Sequence, residues 1–260
     1  MKILGIDFIA DSVEKVVNIL KKGGLLLVPA APALINIKND PAYYKALKKA
    51  DVVIPDSGFM VMAWNLFHKK KIRRLSGLEF LTCFLNDHEV RTAKDILLVD
   101  PNKEESELNL AYLNNNGFNL SSDCSYLAPF YRGKAVEDKV LLKLIEERKP
   151  KYIIINIGGG TQEKLGIYLR NNLSYKPAII CTGAAIAFLT GKQAKIPNWG
   201  DKFYLGWLFR CIQKPKLYVP RYLKAFKLAL IMLQYRDEGE DNMQEPPAKI
   251  IIKHVEQQTA

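Results

Sequence analysis

The stretch YIIINIGGGTQEKLGIYLRN, residues 152–171, joins an aliphatic run to an amphipathic segment through three glycines. A continuous apolar run is typical of a strand buried on both faces, so we predict a strand over Tyr152–Ile157. The periodicity after the glycines predicts a helix over Gln162–Asn171. A strand, a tight turn and a helix in this order form the repeating unit of an α/β fold.

The same alternation extends over the first three quarters of the chain and predicts a mostly parallel sheet flanked by helices. Such sheets bind ligands at the carboxyl ends of their strands. The other predicted strands are Leu4–Phe8, Leu25–Val28, Val52–Ile54, Ile96–Val99 and Ala178–Cys181. The other predicted helices are Ser12–Lys22, Pro41–Ala50, Phe59–Phe67, Leu78–Asn86, Lys103–Asn115 and Val136–Arg148.

Composition excludes a disordered chain, because 48% of the 260 residues are hydrophobic. The net charge of +11 favours an anionic partner, and residues 192–236 hold ten basic residues and one acidic residue. The four cysteines and three histidines have no metal-site spacing, so we expect no metal. No signal peptide or membrane-spanning run is visible, which predicts a cytosolic protein.

The pattern changes near residue 195, and we predict three parts: a core over 1–195, a basic aromatic appendage over 196–236 and a partly disordered tail over 237–260. A helix from Pro220 to Tyr235 would carry an apolar stripe beside a cationic one. Two readings stay open for this stripe, a contact with anionic lipid or packing on the protein's own core. The apolar residues among the basic ones favour a membrane surface over nucleic acid. The stripe comprises Val219, Tyr222, Leu223, Phe226, Leu230 and Leu233.

Asp56 is the first candidate for chemistry, because it follows a predicted buried strand and would lie at the mouth of the sheet. A carboxylate there can act as a general base toward a sugar hydroxyl. The alternative is that Asp56 caps the next helix, a position where Asp is favoured.

The turn Gly158–Gly160 is the second candidate, because bare amides at a helix start suit a phosphate. It matches neither the dinucleotide-binding pattern nor a P-loop, and a turn without a ligand is the alternative. The small residues around Gly183 allow close approach of a ligand or of a helix. Arg73 and Arg74 can bind a diphosphate through bidentate hydrogen bonds or form a solvated surface pair.

Taken in order, these segments resemble the WecG/TagA/CpsF family of bacterial glycosyltransferases. The resemblance covers roughly residues 10–230, and its most specific parts are the Gln-Glu and Trp-x-x-Arg elements. The blocks that carry it are Asp40–Gly58, Arg74–Glu79, Pro129-Phe130, Ile157–Lys164, Gly183–Lys192 with Pro197, Leu205–Arg210, Gln213–Pro215 and Arg221-Tyr222.

The resemblance implies a Rossmann-like core, a UDP-sugar donor of the N-acetylmannosamine type, an acceptor sugar on a polyprenyl diphosphate, and no metal or other cofactor. It implies a peripheral position on the inner face of the bacterial cytoplasmic membrane, with a homo-oligomer possible. The catalytic residues would be Asp56, as the base, and Arg74, which would hold the departing diphosphate together with the glycine turn, Arg210 and Arg221. The residues expected to bind substrate are Gly58, Ser76, Gly77, Gly158, Gly159, Gly160, Gln162, Glu163, Gly183, Lys195, Arg210 and Arg221.

Three positions depart from the family pattern: Ala31 replaces a usual Asn, Ala187 a usual Asp, and Gly206 a usual Glu. These changes predict altered specificity or lost activity. The competing interpretations are an inactive relative that binds membranes or polyanions through residues 192–236, and a nucleotide-dependent oxidoreductase. The failed dinucleotide pattern argues against the oxidoreductase.

Overall fold

A computed structural model describes residues 1–69, 71–132 and 136–193, together with helical positions 208, 211–212, 215–216, 219–220, 223, 227–229 and 231–232. Its centre is a six-stranded parallel sheet, which confirms the predicted Rossmann-like α/β fold. In chain order the sheet strands are β3 (Gly24–Leu27), β4 (Val52–Val53), β5 (Ile96–Asp100), β6 (Ser125–Leu127), β7 (Tyr152–Ile155) and β8 (Ala178–Cys181). Across the sheet their order is β4, β3, β8, β7, β5, β6.

Helices cover both faces of this sheet. The described helices are α1 (Val13–Leu20), α2 (Ala31–Leu34), α3 (Pro41–Lys49), α4 (Gly58–Phe67), α5 (Gly77–Asn86), α6 (His88–Ala93), α7 (Lys103–Asn115), α8 (Lys139–Arg148), α9 (Gln162–Asn172) and α10 (Ala185–Leu189). Apolar residues of α2, α3, α4, α8 and α9 pack on one face, and those of α1, α5, α6, α7 and α10 on the other.

The strand side chains alternate between the two packed layers. In β7, Ile153 and Ile155 join the first layer, whereas Tyr152 and Ile154 join the second. All four are fully buried. The aliphatic run is therefore continuous in sequence because both faces of a parallel strand are covered.

The predicted strand Leu4–Phe8 is wrong in its place and its extent. Its residues form a small antiparallel hairpin, in which β1 (Lys2–Ile3) pairs with β2 (Ile6–Asp7) outside the main sheet. The turn falls at Leu4 and Gly5, which both have positive φ, 53° and 70°. Two such residues form the tight turn that suits a hairpin, so the apolar run folds back on itself.

Four short elements were not predicted: β6, α2, α6 and α10. Each has six or fewer residues, too short for a periodicity to be visible. The predicted helix over Val136–Arg148 begins later, at Lys139, because the Asp138 side chain accepts from the amide of Leu141 and caps it.

The C-terminal segment packs on the core through residues outside the predicted stripe. Leu228 is fully buried and Met232 is 4% exposed, both in the first apolar layer. Val219 and Leu223 of the stripe are exposed, and its other members lie outside the described residues, as does the tail 237–260. In the described part of the chain, no helix combines the length and apolar character of a membrane span.

Candidate active site

A cavity of about 590 Å³ opens at the carboxyl ends of β3, β4, β7 and β8. The structure brings together nine of the predicted site residues on its wall: Asp56, Arg74, Ser76, Gly77, Gly158, Gly159, Gly160, Gln162 and Gly183. Gly58 begins α4 beside the cavity and does not line it, and Glu163 lies buried behind the wall. Lys195, Arg210 and Arg221 are outside the described residues.

Asp56 is held by contacts from two other parts of the chain. The Arg74 guanidinium donates from Nε to the backbone oxygen of Asp56 at 2.5 Å and from Nη2 to Oδ1 at 3.3 Å. The amide of Gly77, the first residue of α5, donates to the same Oδ1 at 3.1 Å. Both contacts orient the carboxylate, whose side chain remains 29% exposed at the cavity.

The alternative role of Asp56 as a helix cap is wrong. Ser57 is the N-cap of α4, and its side chain accepts from the amide of Met60. The arginine pair also divides: Arg73 is exposed and pairs with Glu79, while the Arg74 side chain is 17% exposed in the cavity wall. The carboxylate therefore does not cap α4, and Arg74 and Gly77 orient it.

The glycine turn forms the facing part of the wall. A Cβ atom on Gly158 or Gly160 would meet nothing within 4 Å, so space lies directly over the backbone. Gly160 has φ of +89°, a left-handed conformation that favours glycine. Within the described ranges, the amides of Gly158 and Gly159 have no acceptor, and they precede the N-terminus of α9. This arrangement can bind an anionic oxygen.

Gln162 and Glu163 tie this turn to the next strand end. The Gly183 amide donates to Gln162 Oε1 at 2.8 Å, and Gln162 Nε2 donates to Glu163 Oε1 at 3.3 Å. The Gly160 amide donates to Glu163 Oε2 at 2.7 Å. Lys164 pairs at 2.9 Å with Asp40, the N-cap of α3. The three consecutive polar residues therefore fix the relative positions of two turns and a helix.

A model of the WecG/TagA/CpsF family of glycosyl transferases matches residues 1–241. The chain belongs to this family. It is similar to the N-acetylglucosaminyldiphosphoundecaprenol N-acetyl-beta-D-mannosaminyltransferase of Staphylococcus aureus strain MRSA252, with 23% identity over 218 residues, which is 81% of this chain and 83% of the relative. The same values hold for the enzyme of the same name from strain NCTC 8325 / PS 47.

Burial raises the pKa of Glu163 to about 7. Hydrogen bonds from Gly160 and Gln162 and the charge of Lys164 lower this pKa, but burial has the larger effect. Burial also raises the pKa of Tyr43, and the charges of Glu163 and Asp40 raise it further. These groups lie close enough to interact, in and behind one wall of the cavity.

Among the cavity residues that sequence reasoning missed are Tyr43 and Thr182. Tyr43 lies on the buried face of α3, and Thr182 directly follows β8. A threonine at the carboxyl end of a predicted strand was a usable signal, because ligands bind at that edge. For Tyr43 the helix periodicity indicated burial but not a neighbouring cavity.

Two of the three departures from the family pattern lie next to the cavity rather than in its wall. Ala31 is buried between the lining residues Ala30 and Pro32, and Ala187 is buried beside the lining residue Phe188. Gly206 lies outside the described residues. Among the residues that the structure describes, no three His, Cys, Asp or Glu side chains group as a metal site.

Proposed function

We propose that this protein is an inverting glycosyltransferase that moves an N-acetylhexosamine of the N-acetylmannosamine type from a UDP-sugar to a sugar carried on a polyprenyl diphosphate. The observation that carries the proposal is the Asp56 carboxylate, oriented by Arg74 and Gly77, on the wall of a cavity that also contains a glycine turn. The acceptor and the sugar are those in the name of the staphylococcal relatives, and the polymer would belong to the cell surface.

Asp56 would take the proton from an acceptor hydroxyl, whose oxygen attacks the anomeric carbon of the donor. The bond between that carbon and the UDP oxygen breaks in the same displacement, so the anomeric configuration inverts. The Arg74 and Gly77 contacts use Oδ1 of Asp56. In the described part of the chain no donor contacts Oδ2, so this oxygen is available to accept the proton.

The departing UDP gains negative charge as the bond breaks, and positive groups must meet it. The amides of Gly158 and Gly159, the N-terminus of α9 and the Arg74 guanidinium line the cavity for this purpose. Arg210 and Arg221 would add two more charges from the basic segment. With this many fixed donors we propose a reaction that needs no divalent metal.

The test is transfer from labelled UDP-N-acetylmannosamine and UDP-N-acetylglucosamine to a polyprenyl-diphosphate-linked N-acetylglucosamine, in detergent with EDTA. We expect turnover with inversion by the wild type and a loss of at least 100-fold in Asp56→Asn, because general-base catalysis contributes about 10²–10⁴-fold. Asp7→Asn, on the exposed surface of β2, is the matched control. An Asp56→Asn variant that keeps most of its rate removes Asp56 from the role of base, and absence of transfer from every donor contradicts the proposed reaction.

A second candidate is a non-catalytic relative that binds membranes. Residues 192–236 hold ten basic residues against one acidic residue, and Ile212 and Leu223 are exposed. Such a surface suits anionic lipid, and a peripheral membrane position is part of both proposals. Binding to vesicles that contain phosphatidylglycerol, without transfer from any donor, favours this candidate. Light scattering on the same sample measures the oligomeric state.

A further inference from the structure

Thr182 combines a place in the cavity wall with an unused hydroxyl. The residue follows β8, lines the cavity and is 7% exposed. Its Oγ1 is buried and has no hydrogen-bond partner within the described chain. A buried hydroxyl without a partner destabilises a protein, so its presence needs an explanation.

Three neighbouring polar side chains in the wall already have partners. Arg74 contacts Asp56, Ser76 Oγ accepts from the amide of Glu79, and Gln162 accepts from the amide of Gly183. Four buried side-chain polar atoms lack a partner in the described residues, and two of them belong to the cavity residues Tyr43 and Thr182. A ligand in the cavity can supply the missing partner.

Thr182 is also close to the proposed base. A Cβ atom on Gly77 would lie 3.7 Å from the Cβ of Thr182, and the Gly77 amide contacts Asp56 Oδ1. On the other side, Thr182 is bonded to Gly183, which contacts Gln162. Thr182 therefore has one neighbour, Gly77, that contacts the proposed base and another, Gly183, that contacts Gln162.

We propose that the Thr182 hydroxyl is a specificity-determining hydrogen-bond partner for a hydroxyl or acetamido group of a sugar ring at the reacting centre. The inference rests on the proposed glycosyl transfer. Oγ1 is buried in the present rotamer, and a rotation of about 120° about χ1 would move it to another staggered position, toward the sugar, without a backbone movement. The sugar belongs either to the donor or to the acceptor, which share this chemistry.

The experiment compares Thr182→Val with wild type in two measurements. Valine keeps the branched shape and removes only the hydroxyl. We expect a melting temperature about 2–4 °C higher in the absence of substrate, because a buried hydroxyl without a partner is removed. We expect kcat/KM to fall roughly tenfold for one substrate, and Thr182→Ser to restore it.

Tyr152→Phe is the matched control. Its hydroxyl is also buried and has no hydrogen-bond partner among the residues that the structure describes, but Tyr152 does not line the cavity. We expect this variant to keep the wild-type kcat/KM for both substrates. A rise in donor KM assigns the contact to the donor sugar, and a rise in acceptor KM assigns it to the acceptor.

The outcomes separate this inference from the proposed function. If wild type transfers sugar and Thr182→Val has unchanged constants for both substrates, the Thr182 contact is wrong while the reaction stands. If wild type transfers no sugar, the proposed reaction fails and this inference fails with it. A Thr182→Val variant that loses activity and also melts at a lower temperature contradicts the inference. In that case the hydroxyl has a structural role.

Discussion

Replacing Glu163 by Gln is expected to change how the stability of the protein depends on pH. The carboxylate is fully buried, and burial raises its pKa from 4.5 to about 7. Between these two values the folded protein holds a proton that the unfolded chain has released. The free energy of unfolding therefore decreases as pH rises through this interval and is constant above it.

The size of the effect follows from the shift in pKa. One pKa unit corresponds to about 1.4 kcal/mol, so a shift from 4.5 to about 7 corresponds to about 3 kcal/mol. Glutamine has no proton to release, so Glu163→Gln lacks this contribution. It can still accept from the Gly160 amide, and the fold should be kept.

Urea unfolding followed by circular dichroism, from about pH 5 to about pH 8, measures the effect. We expect the variant to gain stability relative to wild type as pH rises, by about 2.5 kcal/mol over this pH range. Glu147→Gln removes an exposed carboxylate from α8 and corrects for the change in net charge. A difference between wild type and Glu163→Gln that is independent of pH, or that shifts in favour of wild type, would refute the argument.

Three further substitutions test a glycine of the turn, a buried glycine of α9 and the Arg74 guanidinium. Gly160→Ala places a side chain at a φ of +89°, which costs about 1–2 kcal/mol of stability. We also expect a higher KM for the donor, and unchanged stability and KM contradict this prediction. Gly166→Ala brings a Cβ to 2.8 Å from Leu25 Cδ1. The cost of overpacking, about 1–3 kcal/mol, should exceed the gain in helix propensity, about 1 kcal/mol, so we expect a lower melting temperature. A melting temperature at or above that of wild type shows that the core adjusts to the added methyl group. Arg74→Lys keeps the positive charge but loses the pair of hydrogen bonds to Asp56. We expect kcat to fall at least tenfold with little change in stability. A wild-type kcat would mean that the charge alone is sufficient.

Sequence reasoning predicted the sheet strands well where burial on both faces leaves an aliphatic run, as in β7. It failed where a few residues decide the conformation. The turn at Leu4 and Gly5 converts an apolar run into a hairpin, and the half-exposed edge strand β6 has no such run. Short elements depend on caps and neighbours rather than on their own periodicity.

For the candidate site, the order of strands and turns along the chain predicts which residues stand at the ends of the strands, because parallel strands direct their carboxyl ends to one edge. Asp56, the glycine turn and Gly183 are identified on this ground. Which of these residues contact one another depends on how the strand ends pack. The tertiary structure pairs Arg74 rather than Arg73 with Asp56, and it places Glu163 behind the wall, where it supports the turn. These contacts join residues far apart in the chain, and no local pattern encodes which side chains meet when separate strand ends pack together.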